Sequence, residues 1–211
     1  RSNGGGDHLF CGRSKQSQEA LQRRRGLIHF AVSDAIPSDA HVTDVTLVLY
    51  LSQTITEPAF KATEVTLHRL DRNWGEGRFD PDGQEGGGAN AQSGDATWLH
   101  TFFAAAMWAE PGGDWEPSPS ATAMIGNRNL FYSWSGEGLA SDAQNWLEDP
   151  AGNFGWILIG DESEAGTAKR FDSRESFDFD IVTGNRTAPR LIVEYVVPGD
   201  ASSSLWPDSI D

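Results

Sequence analysis

The residues best suited to chemistry lie in the segment 169–175, which places charges of both signs around one aromatic side chain. The charged residues are Lys169, Arg170, Asp172, Arg174 and Glu175. Opposite charges alternating along a strand predict cross-strand ion pairs with a structural role. A catalytic role would need Arg170 or Arg174 beside an anionic sugar. No Ser-His-Asp or Cys-His set and no Gly-x-Ser-x-Gly sequence accompanies them, so the structural interpretation is favoured and a non-catalytic chain is predicted.

A second group lies in the acidic, glycine-rich stretch 71–95. Hard oxygen ligands recur there, at Asp71, Asn73, Glu76, Asp80, Asp82 and Glu85. Calcium prefers six to eight oxygen ligands in flexible geometry, so calcium is the cofactor that this composition suits. The spacing does not match an EF-hand, and a solvated cluster of turns is the alternative interpretation.

The third group is aromatic. Exposed indole and phenol rings beside carboxylates and amides hold sugars by stacking and hydrogen bonding. The glycan-binding candidates are Trp108, Trp115, Tyr132 and Trp134, and Trp108 and Trp115 are the tryptophans expected to be exposed. The alternative is that most of these rings belong to the core, as expected for Trp74 and Trp98 at strand edges.

Composition limits the partners. The 211 residues include 31 acidic and 16 basic residues, giving a formal net charge of −15. Such a field opposes binding to nucleic acids and to anionic membrane surfaces, while calcium and neutral glycans remain compatible with it. The sequence contains no transmembrane run. Cys11 is the single cysteine, so no internal disulfide is possible.

Hydrophobic periodicity predicts the elements that must position these groups. The clearest pattern covers 41–51, where Val45, Leu47, Leu49 and Leu51 share one face of a strand. A short helix is predicted over 138–147, with apolar residues on one stripe. Further strands are predicted near 9–13, 25–33, 62–70, 121–125, 130–134, 154–160, 168–173 and 189–197.

The predicted fold class is therefore all-β: a jelly-roll-like antiparallel β-sandwich with one short helix and one long insertion. Residues 1–8 are predicted to be a flexible segment, 9–197 a single domain and 198–211 a tail. The insertion, about 77–120, is rich in glycine, tryptophan and carboxylates. Its tryptophans argue against disorder and predict an ordered excursion across one end of the sandwich.

An ordered set of motifs resembles the DNRLRE-type domain, a secreted bacterial module similar to carbohydrate-binding family 96. The set comprises Arg25-Gly26-Leu27-Ile28-His29-Phe30, Val42–Leu49, Val65–Leu70, Trp74-Gly75-Glu76-Gly77, Ala96-Thr97-Trp98, Asn153–Leu158, Phe171-Asp172-Ser173-Arg174-Glu175 and Pro189–Tyr195. The resemblance covers about residues 5–197. It implies a secreted, extracellular sandwich at a bacterial cell surface that binds polysaccharide or serves adhesion, without catalysis.

The chain departs from the family in two ways: the insertion is longer, and a strand that usually precedes the glycine-rich turn at 3–6 is missing. A sandwich that lacks a strand exposes a sheet edge, which another copy can complete. The alternative function is therefore a self-assembling subunit of an extracellular filament or surface layer. The candidate donor residues are Leu205, Trp206 and Ile210. A polysaccharide-active enzyme is a third alternative, although no motif favours it.

Overall fold

A computed structural model describes residues 1–18, 22–54, 62–81, 83, 85–199 and the backbone of 208–210. The strands of this described part are β1 (His8–Arg13), β2 (Arg23–Ile28), β3 (His41–Thr54), β4 (Thr63–Arg69), β5 (His100–Phe102), β6 (Ala106–Met107), β7 (Ala121–Ile125), β8 (Leu130–Ser135), β9 (Trp156–Ile159), β10 (Lys169–Asp172), β11 (Arg190–Val196) and β12 (Asp208–Ile210). The helices are α1 (Val32–Ala35), α2 (Glu137–Glu148) and a 3₁₀ turn (Pro150–Gly152).

The long strand β3 organises the sheet. It pairs with β8 on one edge, and with β11 and then β10 on the other, all antiparallel. From β10 the pairing continues through β1, β2, β9 and β4 to β7, whose short connection leads back to β8. The sheet thus nearly closes on itself, and the predicted all-β, sandwich-like fold is confirmed.

The core follows from the alternation in β3. Val45, Leu47, Leu49 and Leu51 have no exposed surface and belong to one buried cluster with Trp134 of the neighbouring strand β8 and Leu67 of β4. A side-chain period of two places every second residue on the same face, so one register buries all four together.

The predicted helix is present as α2. Its buried residues are Leu139, Asp142, Ala143, Trp146 and Leu147. The ring centroids of Trp146 and Trp156 lie 4.5 Å apart. The Asp142 carboxylate accepts hydrogen bonds from Trp156 Nε1 (2.8 Å) and Ser120 Oγ (2.5 Å), so this buried acid has partners on two other segments.

The insertion is described at residues 77–81, 83 and 85–120. It contains the β5–β6 hairpin, and it covers β2 and β9 with a second apolar cluster built on Leu70, Trp108 and Ile157. The elements differ from the sequence-based expectations in two ways. The strand predicted over 25–33 ends at Ile28 and is followed by α1, while β5, β6 and β12 were not predicted. Each of these unpredicted elements has two to four residues, too few for a hydrophobic period.

The free thiol of Cys11 lies in the core with no exposed surface. Burial raises its pKa to about 12. Its cross-strand neighbour in β10 is Lys169, which is also buried and donates to Thr54 Oγ1 at 3.2 Å. Burial lowers the pKa of Lys169. The polar end of this lysine is therefore satisfied by a hydroxyl inside the sandwich.

Removing a side chain from the buried face of β3 tests the role of that face. Leu49→Ala is expected to lower the free energy of unfolding by about 2–5 kcal/mol, because it deletes methyl groups and leaves a cavity. Thr43→Ala, at an exposed position of the same strand, should change it by about 0.5 kcal/mol or less. Urea unfolding followed by tryptophan fluorescence measures both; equal losses would contradict the assigned register.

Cys11 provides an independent test of burial. A thiol-specific reagent at pH 8 should leave native Cys11 unmodified and should label it fully in denaturant, because the thiolate is both inaccessible and disfavoured. A Ser17→Cys variant adds an exposed thiol and should gain one rapid label in the native state. Rapid labelling of the native wild type would contradict a closed core.

Candidate functional site

A cleft opens where β1 and β2 separate. The two strands pair at only two positions, Gly12 with Arg24 and Arg13 with Arg23. Beyond this corner, β1 continues beside β10 and β2 continues beside β9, in opposite sheets of the sandwich. The space between them is a cleft of about 610 Å³.

The walls of the cleft come from four parts of the chain. One wall is the continuous run 23–31, and the facing wall contains Leu9 and Phe10 of β1. The N-terminal residues and the glycines 86–88 lie across the mouth. Trp74, which follows β4, and Trp98 and Trp108 of the insertion also line the cleft. The cleft therefore has an apolar, partly aromatic interior.

Its charge is opposite to that of the whole protein. The lining contains five arginines and three glutamates, namely Arg1, Arg23, Arg24, Arg25, Arg174, Glu76, Glu85 and Glu175. The complete chain has nearly twice as many acids as bases, with a net charge of −15. The cleft thus concentrates positive charge on an acidic surface, which favours an anionic ligand at short range.

Arg25 joins the insertion to the edge of the sandwich. Its guanidinium carbon lies 4.7 Å from the ring centroids of both Trp98 and Trp115. Nε and an η nitrogen donate to the two carboxylate oxygens of Glu162, at 2.7 and 2.9 Å, and the other η nitrogen donates to the carbonyl of Gly112 at 3.2 Å. These contacts use the planar, five-donor shape of arginine.

Three further arginines of the cleft are held differently. Arg24 donates to the Gly86 carbonyl, and burial lowers its pKa. Arg174 is exposed and donates to Glu175 at 3.0 Å and Glu76 at 2.9 Å; these hydrogen bonds raise its pKa. Arg23 has a side chain that is 54% exposed, and its Nε lies 3.8 Å from Glu162. Arg23 therefore presents the less engaged cation at an accessible position on the cleft, while the exposed guanidinium of Arg174 is shared with two carboxylates.

A buried polar cluster closes one end of the cleft. His8 Nδ1 lies 2.9 Å from Glu85 Oε1, while Glu85 Oε2 accepts from the His8 backbone N–H and the Asn3 amide. His8 Nε2 lies 3.8 Å from Asp172, whose carboxylate is buried and accepts no hydrogen bond. The cluster binds the N-terminal segment to the insertion and to β10.

The aromatic candidates occupy different environments. The prediction that Trp108 is exposed is wrong: it is 6% exposed, and its Nε1 donates to the carbonyl of Thr97. Trp134 is fully buried and donates to the Val65 carbonyl, so its ring is not available to a glycan. Both indoles bury large apolar surfaces, which explains their place in the cores. Trp115 and Tyr132 are half-buried, and neither lines the cleft.

The oxygen-ligand candidates are dispersed. Asn73 Oδ1 accepts a hydrogen bond from the backbone N–H of Trp74. The carboxylate of Glu76 contacts Arg174, and that of Glu85 contacts His8. The pKa of Asp71 is raised, mainly by burial and then by the charge of Glu116. Burial raises the pKa of Asp7, and the negative charges of Glu85 and Asp80 raise it further. Asp82 lies outside the described residues. Among the residues described, no group of three or more His, Cys, Asp or Glu is arranged to hold a metal ion. Calcium binding stays a prediction.

The tail candidates are only partly within the structure. Leu205 and Trp206 lie outside the described residues, and for Ile210 only the backbone is described. Ile210 pairs with Leu191 as part of β12, beside β11 of the same chain. The tail strand therefore covers the β11 edge.

Sequence reasoning missed Arg23 and the charge reversal within the cleft. The available signal was three consecutive arginines, residues 23–25, at the start of a strand in a strongly acidic chain. Their proximity to Arg174 and Arg1 depends on pairings between distant segments, which local patterns do not reveal.

Comparison with known proteins gives no relative: no protein-family model and no curated protein matches the chain. The resemblance to DNRLRE-type domains therefore stays a prediction. In the parts of the chain that the structure describes, no helix has the length and apolar character needed to cross a membrane.

Replacing Arg25 tests whether its planar contacts hold the insertion in place. Arg25→Lys keeps the charge but loses the bidentate contact and both stacked faces, so an unfolding free-energy loss of about 1–3 kcal/mol is expected. The indole emission should also change, because Trp98 and Trp115 lose their shared cation. Arg23→Lys is the matched control on the same strand and should be nearly neutral. Equal effects would contradict the special role of Arg25.

Proposed function

We propose that the chain is a non-catalytic extracellular module that binds an acidic polysaccharide in the cleft between β1 and β2. The observation that carries this proposal is the charge reversal: five arginines line an aromatic-walled cleft on a protein of net charge −15. Secretion and a bacterial cell-surface location are part of the proposal and follow from the resemblance to DNRLRE-type domains.

The lining offers the two kinds of contact that such a ligand requires. The guanidinium groups of Arg23 and Arg174 match the carboxylates or sulfates of an acidic sugar, since planar paired donors fit planar acceptors. The half-buried rings of Trp74 and Trp98 offer apolar surface to a sugar ring. Glu76 and Glu175 can accept hydrogen bonds from sugar hydroxyls. This division of roles supports binding and supplies no activated nucleophile.

The overall charge makes the site selective against nucleic acid. A long phosphate backbone needs a continuous cationic surface, whereas these arginines lie within one cleft surrounded by acidic surface. A polysaccharide with spaced charges can place single sugars in the cleft while its neutral parts lie over the rim.

A second candidate function, self-assembly by strand addition, is favoured by one observation. On the side away from β9, the described ladders give β2 no partner beyond Arg23 and Arg24. An extended peptide from another copy could pair with that open edge. Filaments or a surface layer would follow if successive copies donated strands in the same direction.

Binding to defined polysaccharides tests the first proposal. By titration calorimetry, wild-type protein is expected to bind a polysaccharide whose uronic acids are separated by neutral sugars, such as gellan or hyaluronan, and not neutral dextran. Arg23→Ala should weaken binding about tenfold or more, because one charge-assisted hydrogen bond contributes about 1.5–3 kcal/mol. Arg128→Ala removes one exposed cation on the β7–β8 turn and should leave the affinity unchanged.

Three results would contradict the proposal. Equal weakening by Arg23→Ala and Arg128→Ala would indicate a general charge effect. Shortening of the polysaccharide on incubation would show an enzyme. Ordered filaments by negative-stain electron microscopy, together with no binding to any acidic or neutral polysaccharide, would favour strand addition.

Calcium is proposed as a cofactor of the loop 71–95 on the sequence pattern alone. If it binds, calorimetry should show saturable heat on addition of CaCl₂, and the thermal midpoint should rise through ligand linkage and fall again with a chelator. A flat titration with an unchanged midpoint would contradict calcium binding.

A further inference from the structure

An apolar hairpin projects from the sandwich between β10 and β11. This hairpin, residues 177–187, carries four large apolar side chains with very high exposure. Phe177 is 80% exposed, Phe179 59%, Ile181 98% and Val182 87%. Elsewhere in the described chain, the exposed large apolar side chains are spread over several segments. Four exposed large apolar side chains within residues 177–182 of an acidic protein indicate an interaction surface.

Hydrogen bonds within the hairpin fix the backbone that carries these apolar side chains. The Asp180 backbone N–H donates to the Asn185 carbonyl at 2.8 Å, and the Thr187 N–H donates to the Asp178 carbonyl at 3.1 Å. Asp180 Oδ1 accepts from the backbone N–H groups of Val182 and Thr183, at 3.2 and 2.7 Å. Hydrogen bonds from Thr183 and Tyr50 lower the pKa of Asp180. A partner would therefore meet an ordered turn, which reduces the entropy lost on binding.

The exposed area is close to what a specific pair requires. With roughly 150–200 Å² for each large side chain, the four exposed portions amount to about 500–650 Å². Two such patches facing each other would bury about 1,000–1,300 Å², which reaches the lower range of specific protein–protein interfaces, roughly 1,200–2,000 Å².

We propose that a second copy of this chain covers the hairpin, so that two chains associate as a two-fold pair through residues 177–182. A two-fold contact uses the same patch on both chains and therefore needs no other apolar surface. The charges beside the patch suit this arrangement. Asp178 is exposed, and the Arg186 guanidinium lies 5.9 Å from the Phe177 ring centroid. Across a two-fold axis, each aspartate can face the arginine of the other chain.

The pair would also place two clefts side by side; this consequence, unlike the pairing itself, rests on the proposed polysaccharide function. Glu175 lines the cleft and lies two residues before Phe177. Two adjacent clefts could engage neighbouring sugars of one polymer, and linked sites raise the apparent affinity for repeating ligands without new contacts.

Sedimentation equilibrium of the whole chain tests the pairing. We expect a monomer–dimer equilibrium that shifts toward dimer in high salt, since two chains of charge −15 repel one another until the charges are screened. The double substitution Ile181→Gln and Val182→Gln should weaken association at least tenfold. Leu99→Gln with Met107→Gln, at exposed apolar positions in the insertion, should leave it unchanged.

Several outcomes would overturn the pairing. They are a strict monomer at the highest soluble concentration in low and high salt, association that survives the hairpin substitutions, or equal weakening by the control pair. Binding of wild-type protein to phosphatidylcholine vesicles that is lost only in the hairpin variant would instead identify a membrane contact. If wild-type protein forms dimers but binds no polysaccharide, the proposed function is contradicted and the pairing is not.

Discussion

The structure of the cleft wall depends on the Arg25 guanidinium, whose carbon lies 4.7 Å from the ring centroids of Trp98 and Trp115. That single cation connects a strand of the sandwich, the insertion and the loop that carries Glu162. Arginine is suited to this position because its flat faces stack while its edges donate hydrogen bonds. The insertion needs such an anchor, since most of its backbone belongs to loops and only five of its residues to strands. The cleft wall exists because this anchor fixes the tryptophans beside β2.

The cleft combines two features that are usually found apart. Its walls are apolar and aromatic, yet its charged groups are mainly arginines on an acidic molecule. The buried cluster of His8, Glu85 and Asp172 closes one end, while Arg23 and Arg174 remain accessible. Rigid walls together with accessible cations are what a non-catalytic binding site needs, because affinity depends on preorganised contacts.

Local sequence patterns were sufficient for the elements that have a clear period. The alternation around Leu47 and the apolar stripe of α2 predicted both the element and its buried face. Patterns were insufficient where burial depends on distant segments. Trp108 and Trp115 looked alike in sequence, yet one fills the cluster above β9 and the other stacks on Arg25. Lys169 was expected to take part in cross-strand ion pairs, but its buried ammonium donates a cross-strand hydrogen bond to Thr54, and its neighbour on the other side is Cys11.

The narrow pairing between β1 and β2 has a mechanical consequence. Only two residue pairs join these strands at the corner, and one of them includes Gly12, which has φ of +91° and backbone of residues 167–168 packed against it. The angle between the two strands is set where Gly12 meets the backbone of residues 167–168, because a Cβ at this position would lie 2.9 Å from the Thr167 carbonyl oxygen. Any side chain at residue 12 would push the two strands apart and change the width of the cleft, so the size of the opening depends on a residue that does not line it.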